Sequence, residues 1–148
     1  MKAIFCPSFW THPDLEDQPP EVKLTLCWIK TNHETAFNMT GMFTLSSGRF
    51  AYETGLDASW LTKTLDALPH WFVVAGKKCL FKNFIAEQFG TGKNLASSTC
   101  SKALRKRIPD LPHEFQEAIY ALHPELKPSS PSVSPPGSVT TAVAQFYR

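Results

Sequence analysis

None of the four cysteines, Cys6, Cys27, Cys79 and Cys100, forms a CxxC pair. Spread this widely among apolar or small neighbours, they are expected to be buried free thiols of a reduced, intracellular protein, with neither a disulfide framework nor a zinc site. No apolar run approaches the ~20 residues of a membrane-spanning helix. The apolar patch after Lys2 is interrupted by Pro7, Pro13 and the acidic residues Asp14, Glu16 and Asp17, which is unlike a signal peptide. Charge of one sign is also lacking overall, at a formal net of +2.

What is plentiful is apolar bulk. Hydrophobic residues make up 43% of the 148, with eleven Phe and four Trp, enough to build a core for one domain and an appendage. The small net charge hides a segregation. Residues 1–35 sum to −2, 36–76 to −1 and 108–148 to −2, whereas in 77–107 eight basic residues meet a single acid, Glu87, for +7. One contiguous segment thus holds the positive character, the electrostatic footprint expected of a phosphate-binding surface.

Along the chain, Lys2 to Trp10 reads as an extended lead-in anchored by Ile4, Phe5, Phe9 and Trp10. Pro19 and Pro20 suit the first turn of a helix over Glu21 to Lys30, in which Val22, Leu26 and Ile29 recur at helical spacing. Thr31 to Thr40 reads as a loop and Gly41 to Leu45 as a short strand. Ser46 or Ser47 can cap a second helix that runs to Thr54 and ends at Gly55, after which Asp57 caps a third with Leu61, Leu65 and Leu68 inward. Pro69 stops that helix. Helix, glycine turn, capped helix is the grammar of a helix-turn-helix. Two β-rich runs follow, Trp71–Val74 and Cys79–Phe81, the second continuing through Lys82-Asn83-Phe84, with a turn over Ala75-Gly76-Lys77-Lys78; such a hairpin behind the third helix reads as a wing. Gln88 to Gly92 reads as a flexible hinge, Asn94 to Arg107 as one basic helix broken by Pro109, and Pro112 to Leu122 as a last helix capped by Asp110 with Phe115, Ile119 and Leu122 on one face. The expected fold is α+β and mostly helical. It comprises a winged helix-turn-helix over 1–88, two extra helices over 89–126, and a disordered Pro/Ser-rich tail over 127–148.

Ser8-Phe9-Trp10-Thr11, Pro20-Glu21-Val22-Lys23-Leu24, Thr31-Asn32, Gly41-Met42-Phe43, Glu53-Thr54-Gly55-Leu56 and Lys82-Asn83-Phe84-Ile85 with Gln88 occur in an order and spacing that resembles the N-terminal domain of phage replisome organisers, or DnaD-like replication proteins. The resemblance spans about Phe5 to Gln88. It implies a winged helix, association with double-stranded DNA in replication initiation or regulation, and a phage or prophage setting in the cytoplasm of a bacterial host.

The residues expected to meet nucleic acid are Ser59, Thr62 and Lys63 on the third helix, Lys77, Lys78 and Lys82 on the wing, and Lys93, Lys102, Arg105, Lys106 and Arg107 beyond it. The outward set of the third helix, Ala58, Ser59, Thr62, Lys63 and Asp66, lacks the Arg, Asn or Gln that bond bidentately to base edges, so a grip on the backbone is expected in place of base reading. No enzyme, metal or cofactor is expected. Gly90-Thr91-Gly92-Lys93 has its glycines too close for a phosphate loop and is followed by Asn94. His12, His33, His70, His113 and His123 are scattered, and Ser98 to Ser101 has no attendant base. An alternative expectation uses the same scaffold as a small phage accessory protein that binds and inhibits a host protein, such as a nucleic-acid-processing defence nuclease in the manner of an anti-CRISPR protein. Trp60 and Trp71 would then be its anchors.

Overall fold

Helix α1, Pro20–Thr31, starts on a proline whose missing N–H costs nothing there, and it buries Val22, Leu26 and Ile29 together with Thr25, Trp28 and Lys30. The computed structural model describes residues 7–128, and every structural statement below concerns these residues. The lead-in is not extended: Pro7–Thr11 is a 3-10 turn that buries Phe9 and leaves Trp10 61% exposed. Ile4 and Phe5, and the tail from 129 onward, lie outside the described residues.

The stretch expected as a loop after α1 contains a helix, α2, His33–Asn38. Asn32 makes this possible. Its side-chain amide donates to the carbonyls of Trp28 and Ile29 at 3.2 and 3.0 Å, closing α1, while its carbonyl oxygen accepts from Thr35 N at 3.0 Å and opens α2. Strand β1, Met42–Thr44, leads to helix α3, Ser47–Thr54, capped by Ser46 and ended by Gly55 at φ +75°. Asp57 then accepts from Ser59 N at 2.9 Å at the start of helix α4, Ser59–Ala67, which buries Leu61 and Thr64. A 3-10 turn at Pro69–Trp71 enters strand β2, Phe72–Ala75, and the two-residue turn Gly76-Lys77 returns the chain as strand β3, Lys78–Phe81. The sheet is antiparallel with order β1-β3-β2.

Beyond β3 the expected elements shift. Lys82 and Asn83 form a turn, not strand, and helix α5, Phe84–Phe89, takes Phe84 and Ile85 into the core. The expected hinge is structured: Gly90 N donates to Ala86 O at 3.0 Å, and helix α6, Gly92–Ala96, starts at once. The basic helix expected from Asn94 is interrupted at Ser97 and Ser98. There Ser97 Oγ donates to Lys93 O at 2.8 Å, and Ser98 caps helix α7, Thr99–Arg107, by accepting from Cys100 N at 3.1 Å. Asp110 ends a 3-10 turn, Ile108–Asp110, and does not cap helix α8, His113–Leu122, whose N-cap Pro112 makes no side-chain bond. Phe115 and Ile119 of α8 are buried, but Leu122 is 48% exposed because the helix ends there. A last 3-10 turn, Pro124–Leu126, buries Leu126.

The sheet separates two apolar clusters. On one side Phe43, Phe72, Cys79 and Phe81 join Leu26, Ile29, Phe50, Leu61 and Phe84; on the other Leu80, flanked by Met42 and Val73, joins Ile85, Leu95, Leu104, Ile108, Phe115 and Ile119. The two-residue period of β3 accomplishes this, sending Cys79 and Phe81 one way and Leu80 the other. Lys30 is buried in the first cluster, with its ammonium 3.0 Å from the Glu87 carboxylate and 4.5 Å from the centre of the Phe9 ring, which ties α1 to α5.

Gly41 sits at φ +93°, where a Cβ would meet Phe81 O and Phe84 Cβ at 2.6 Å. Both the backbone conformation and the contact exclude a side chain, so Gly41→Ala should lower unfolding stability by about 2–4 kcal/mol, read as the shift in a denaturant midpoint. An unchanged midpoint would refute the close approach of β1 to the start of α5.

Candidate nucleic-acid interface

On α4 the hydroxyls are turned inward on their own helix. Ser59 Oγ donates to Asp57, and Thr62 Oγ1 donates to Ser59 O at 3.1 Å. The bonds from Ser59 hold the Asp57 carboxyl below its ordinary range. Lys63 lies over the Trp60 ring, its ammonium 4.6 Å from the centroid. Of the α4 set, only Lys63 therefore presents a positive charge, and the exposed Asp66 on the same helix offsets it.

The hairpin lysines separate. Lys77, at the turn, is exposed. Lys78, whose side chain is 42% exposed, belongs to a partly buried knot, donating to Thr44 Oγ1 at 2.7 Å and to Glu34 at 3.3 Å, while Glu34 also accepts from Thr44 N at 3.0 Å. Partial burial pushes the Glu34 carboxyl up, but the bonds from Thr44 and Lys78 outweigh it and hold it below its usual value. The expectation that Lys78 shares the wing tip with Lys77 is corrected: Lys78 joins α2, β1 and β3.

The arginines are similarly engaged. Arg105 donates to Glu125 O at 2.9 Å and to Ser101 Oγ at 3.4 Å, clamping the Pro124–Leu126 turn onto α7. The Arg107 guanidinium lies 5.5 Å from the centre of the Phe37 ring and donates to the Phe37 carbonyl, fixing the end of α7 against α2. Lys102 and Lys106, one turn apart on α7, are exposed and their ammonium groups make no hydrogen bond or ion pair among the described residues, and the same holds for the ammonium of Lys93 on α6. Lys82 is half-buried beside β3. Glu87, the single acid of the basic segment, is turned to the buried Lys30. The outward face of α7 thus keeps its charge, which segment sums alone did not reveal.

Trp71 is not an exposed anchor. It is 4% exposed, stacks on Phe81, and donates from Nε1 to Asp14 at 2.8 Å. The indole bond, followed by that of His70, lowers the Asp14 pKa. Trp60 is half-buried against the first cluster. Besides Trp10, the exposed aromatics among the described residues are Tyr52 at 90% and Phe37 at 68%, both in short polar stretches whose periodicity is too brief to tell an outward aromatic from a core one.

No protein-family model, no curated protein and no solved structure matches this chain. Among the described residues no group of three or more His, Cys, Asp or Glu is placed to hold a metal ion, and no helix is long and apolar enough to cross a membrane. Burial pushes the Cys79 thiol up to about 12, a value at which thiolate is negligible near neutrality.

The clamp beneath α7 contains one acid-sensitive group. His123 is 2% exposed, both ring nitrogens lack hydrogen bonds, and Nδ1 stands 3.5 Å from Glu125. Burial lowers its pKa below 6.5, although Glu125 opposes the shift. The fold therefore favours neutral imidazole: its stability is full above about pH 6.5 and declines as pH falls from there toward the lower folded value. His123→Phe should flatten that part of the acid limb in urea midpoints measured across pH 5–7.5, a window bracketing the ordinary histidine range of about 6.5; an identical acid limb in both proteins would contradict the burial of neutral His123.

Proposed function

We propose that the chain is a winged helix-turn-helix protein that grips double-stranded DNA through its phosphate backbone, in a replication-initiation or regulatory role of the phage type. The order α1, α2, β1, α3, glycine turn, α4, β2, two-residue turn, β3, with sheet order β1-β3-β2, supports the winged-helix reading, α2 being an addition between α1 and β1. The observation that carries the functional reading is the face of α7: Lys102 and Lys106 stand exposed on one side with their ammonium groups unbonded, while Glu87, the single acid of residues 77–107, is turned to Lys30. Lys93, Lys77 and Lys63 are further exposed lysines. Arg105 and Arg107 serve that face by fixing α7, and Lys78 ties β3 to β1 and α2. Ammonium groups on flexible stems suit phosphate oxygens and read no bases, in keeping with the α4 surface.

The exposed Tyr52 favours one competing reading, that the same scaffold binds and inhibits a host protein, because a large ring with 90% exposure is well placed to anchor an interface. In that case Tyr52→Ala abolishes capture of a protein partner from nuclease-treated lysate and leaves DNA binding unchanged.

The test of the principal reading is a mobility-shift titration on duplex DNA at two salt concentrations. Wild type should bind at low salt and weaken steeply as salt rises. Lys102→Glu with Lys106→Glu should weaken low-salt binding by roughly tenfold or more and reduce the log–log salt slope by about one per lysine removed. No shift by the wild type at low salt, or an unchanged slope in the double variant, would overturn it.

A further inference from the structure

The two edges of the sheet are finished differently. In β3, Phe81 N donates to Gly41 O and Lys77 O accepts from Leu45 N, so the odd-numbered backbone groups of this strand face β1 and the even-numbered ones face β2. Carrying the same alternation outward, Met42 and Thr44 turn their backbone groups to the outer edge of β1, and Phe72 and Val74 turn theirs to the outer edge of β2.

The β1 edge is closed by side chains. Thr44 N donates to Glu34 at 3.0 Å, Met42 N donates to Thr40 Oγ1 at 3.4 Å, and the Met42 carbonyl accepts from Asn38. On the β2 edge Phe72 N donates to Pro69 O, but the Val74 N–H and C=O have no hydrogen-bond partner. The Val74 side chain is 52% exposed, and Phe72 to Gly76 contains no charge or proline to discourage pairing.

We infer that the β2 edge is an interaction surface for a second copy of this chain, the two β2 strands pairing antiparallel about Val74. A two-fold axis at Val74 lets its N–H donate to the second copy's Val74 carbonyl and the reverse, and the same register sets the Gly76 N–H opposite the second copy's Phe72 carbonyl. The two exposed Val74 side chains then meet as a β-branched cross-strand pair, and the sheets of the two copies become continuous. Charge complementarity supports a second copy as the occupant. The register sets Lys77 against the second copy's Trp71, whose indole is held by Asp14, with Glu16 and Asp17 just beyond in sequence. The seam is short, so the dimer is weak and concentration-dependent. Of the lysines proposed to meet phosphate it engages only Lys77, and not Lys93, Lys102 or Lys106, so its test needs no DNA.

The experiment is backbone amide hydrogen exchange on the full chain without DNA at low and high protein concentration, alongside sedimentation equilibrium. The Val74 and Gly76 amides should exchange freely when dilute and become protected as concentration rises, with the mass moving toward two chains. Val74→Lys, which puts two ammonium groups across the axis, should stay at one chain while keeping the wild-type circular dichroism and melting curve. Val74→Pro, which removes the outward N–H without adding charge, is the second variant should the lysine perturb folding. Concentration-independent exchange at both amides, a wild type that stays at one chain, or a folded Val74→Lys or Val74→Pro that associates as the wild type does would each overturn the inference.

Discussion

Strand β3 must be buried on both faces, and most of the architecture follows from that requirement. Cys79 and Phe81 complete the cluster that α1, α3 and α4 share, whereas Leu80 enters the cluster formed by α5 to α8. A three-stranded sheet with one apolar face would leave Leu80, Met42 and Val73 in water, so α7 and α8 are obligatory cover for it. The proposed DNA-binding face is the outside of that cover. Leu104 and Ile108 point to the sheet, and Lys102 and Lys106, on the opposite side of the same helix, point away. Apolar packing, not the loops, therefore fixes where the charge is displayed.

Polar contacts divide the basic residues into two kinds. Lys30, Lys78, Arg105 and Arg107 are held by Glu87, Glu34, the Glu125 carbonyl and Phe37, and each joins two elements distant in sequence. Truncating a buried partner such as Lys30 leaves Glu87 uncompensated, which makes this pair more costly to break than any surface bridge. The remaining lysines have no such duties. Arg105 and Arg107 hold carbonyls and a ring face because the planar fork is preorganised, and the remaining lysines are left at the solvent boundary, where a mobile point charge suits phosphate.

Much of the first half was legible in the sequence. Pro20, Ser46, Gly55, Asp57 and Pro69 each impose a local backbone constraint, and α1, α3, α4 and the hairpin lie where those residues place them. The failures have local causes too. Asn32 has the composition of a loop yet serves two helices at once, and Ser97 and Ser98 sit within a helical pattern yet their hydroxyls break and restart it. Gly90 and Gly92 suggest freedom by composition, whereas one caps a helix and the other starts the next. The basic segment was visible as a charge sum, but which of its residues point outward depends on contacts between residues such as Arg107 and Phe37 that are seventy positions apart. Periodicity cannot report those.

The display of charge on α7 is the central claim, and amide chemical-shift mapping during titration with a short duplex at low salt examines it most directly. The account predicts that the largest changes fall on Lys102, Lys106 and Lys93, and that added salt reverses them. Changes centred on Tyr52 and α3, or no changes at all, would contradict it.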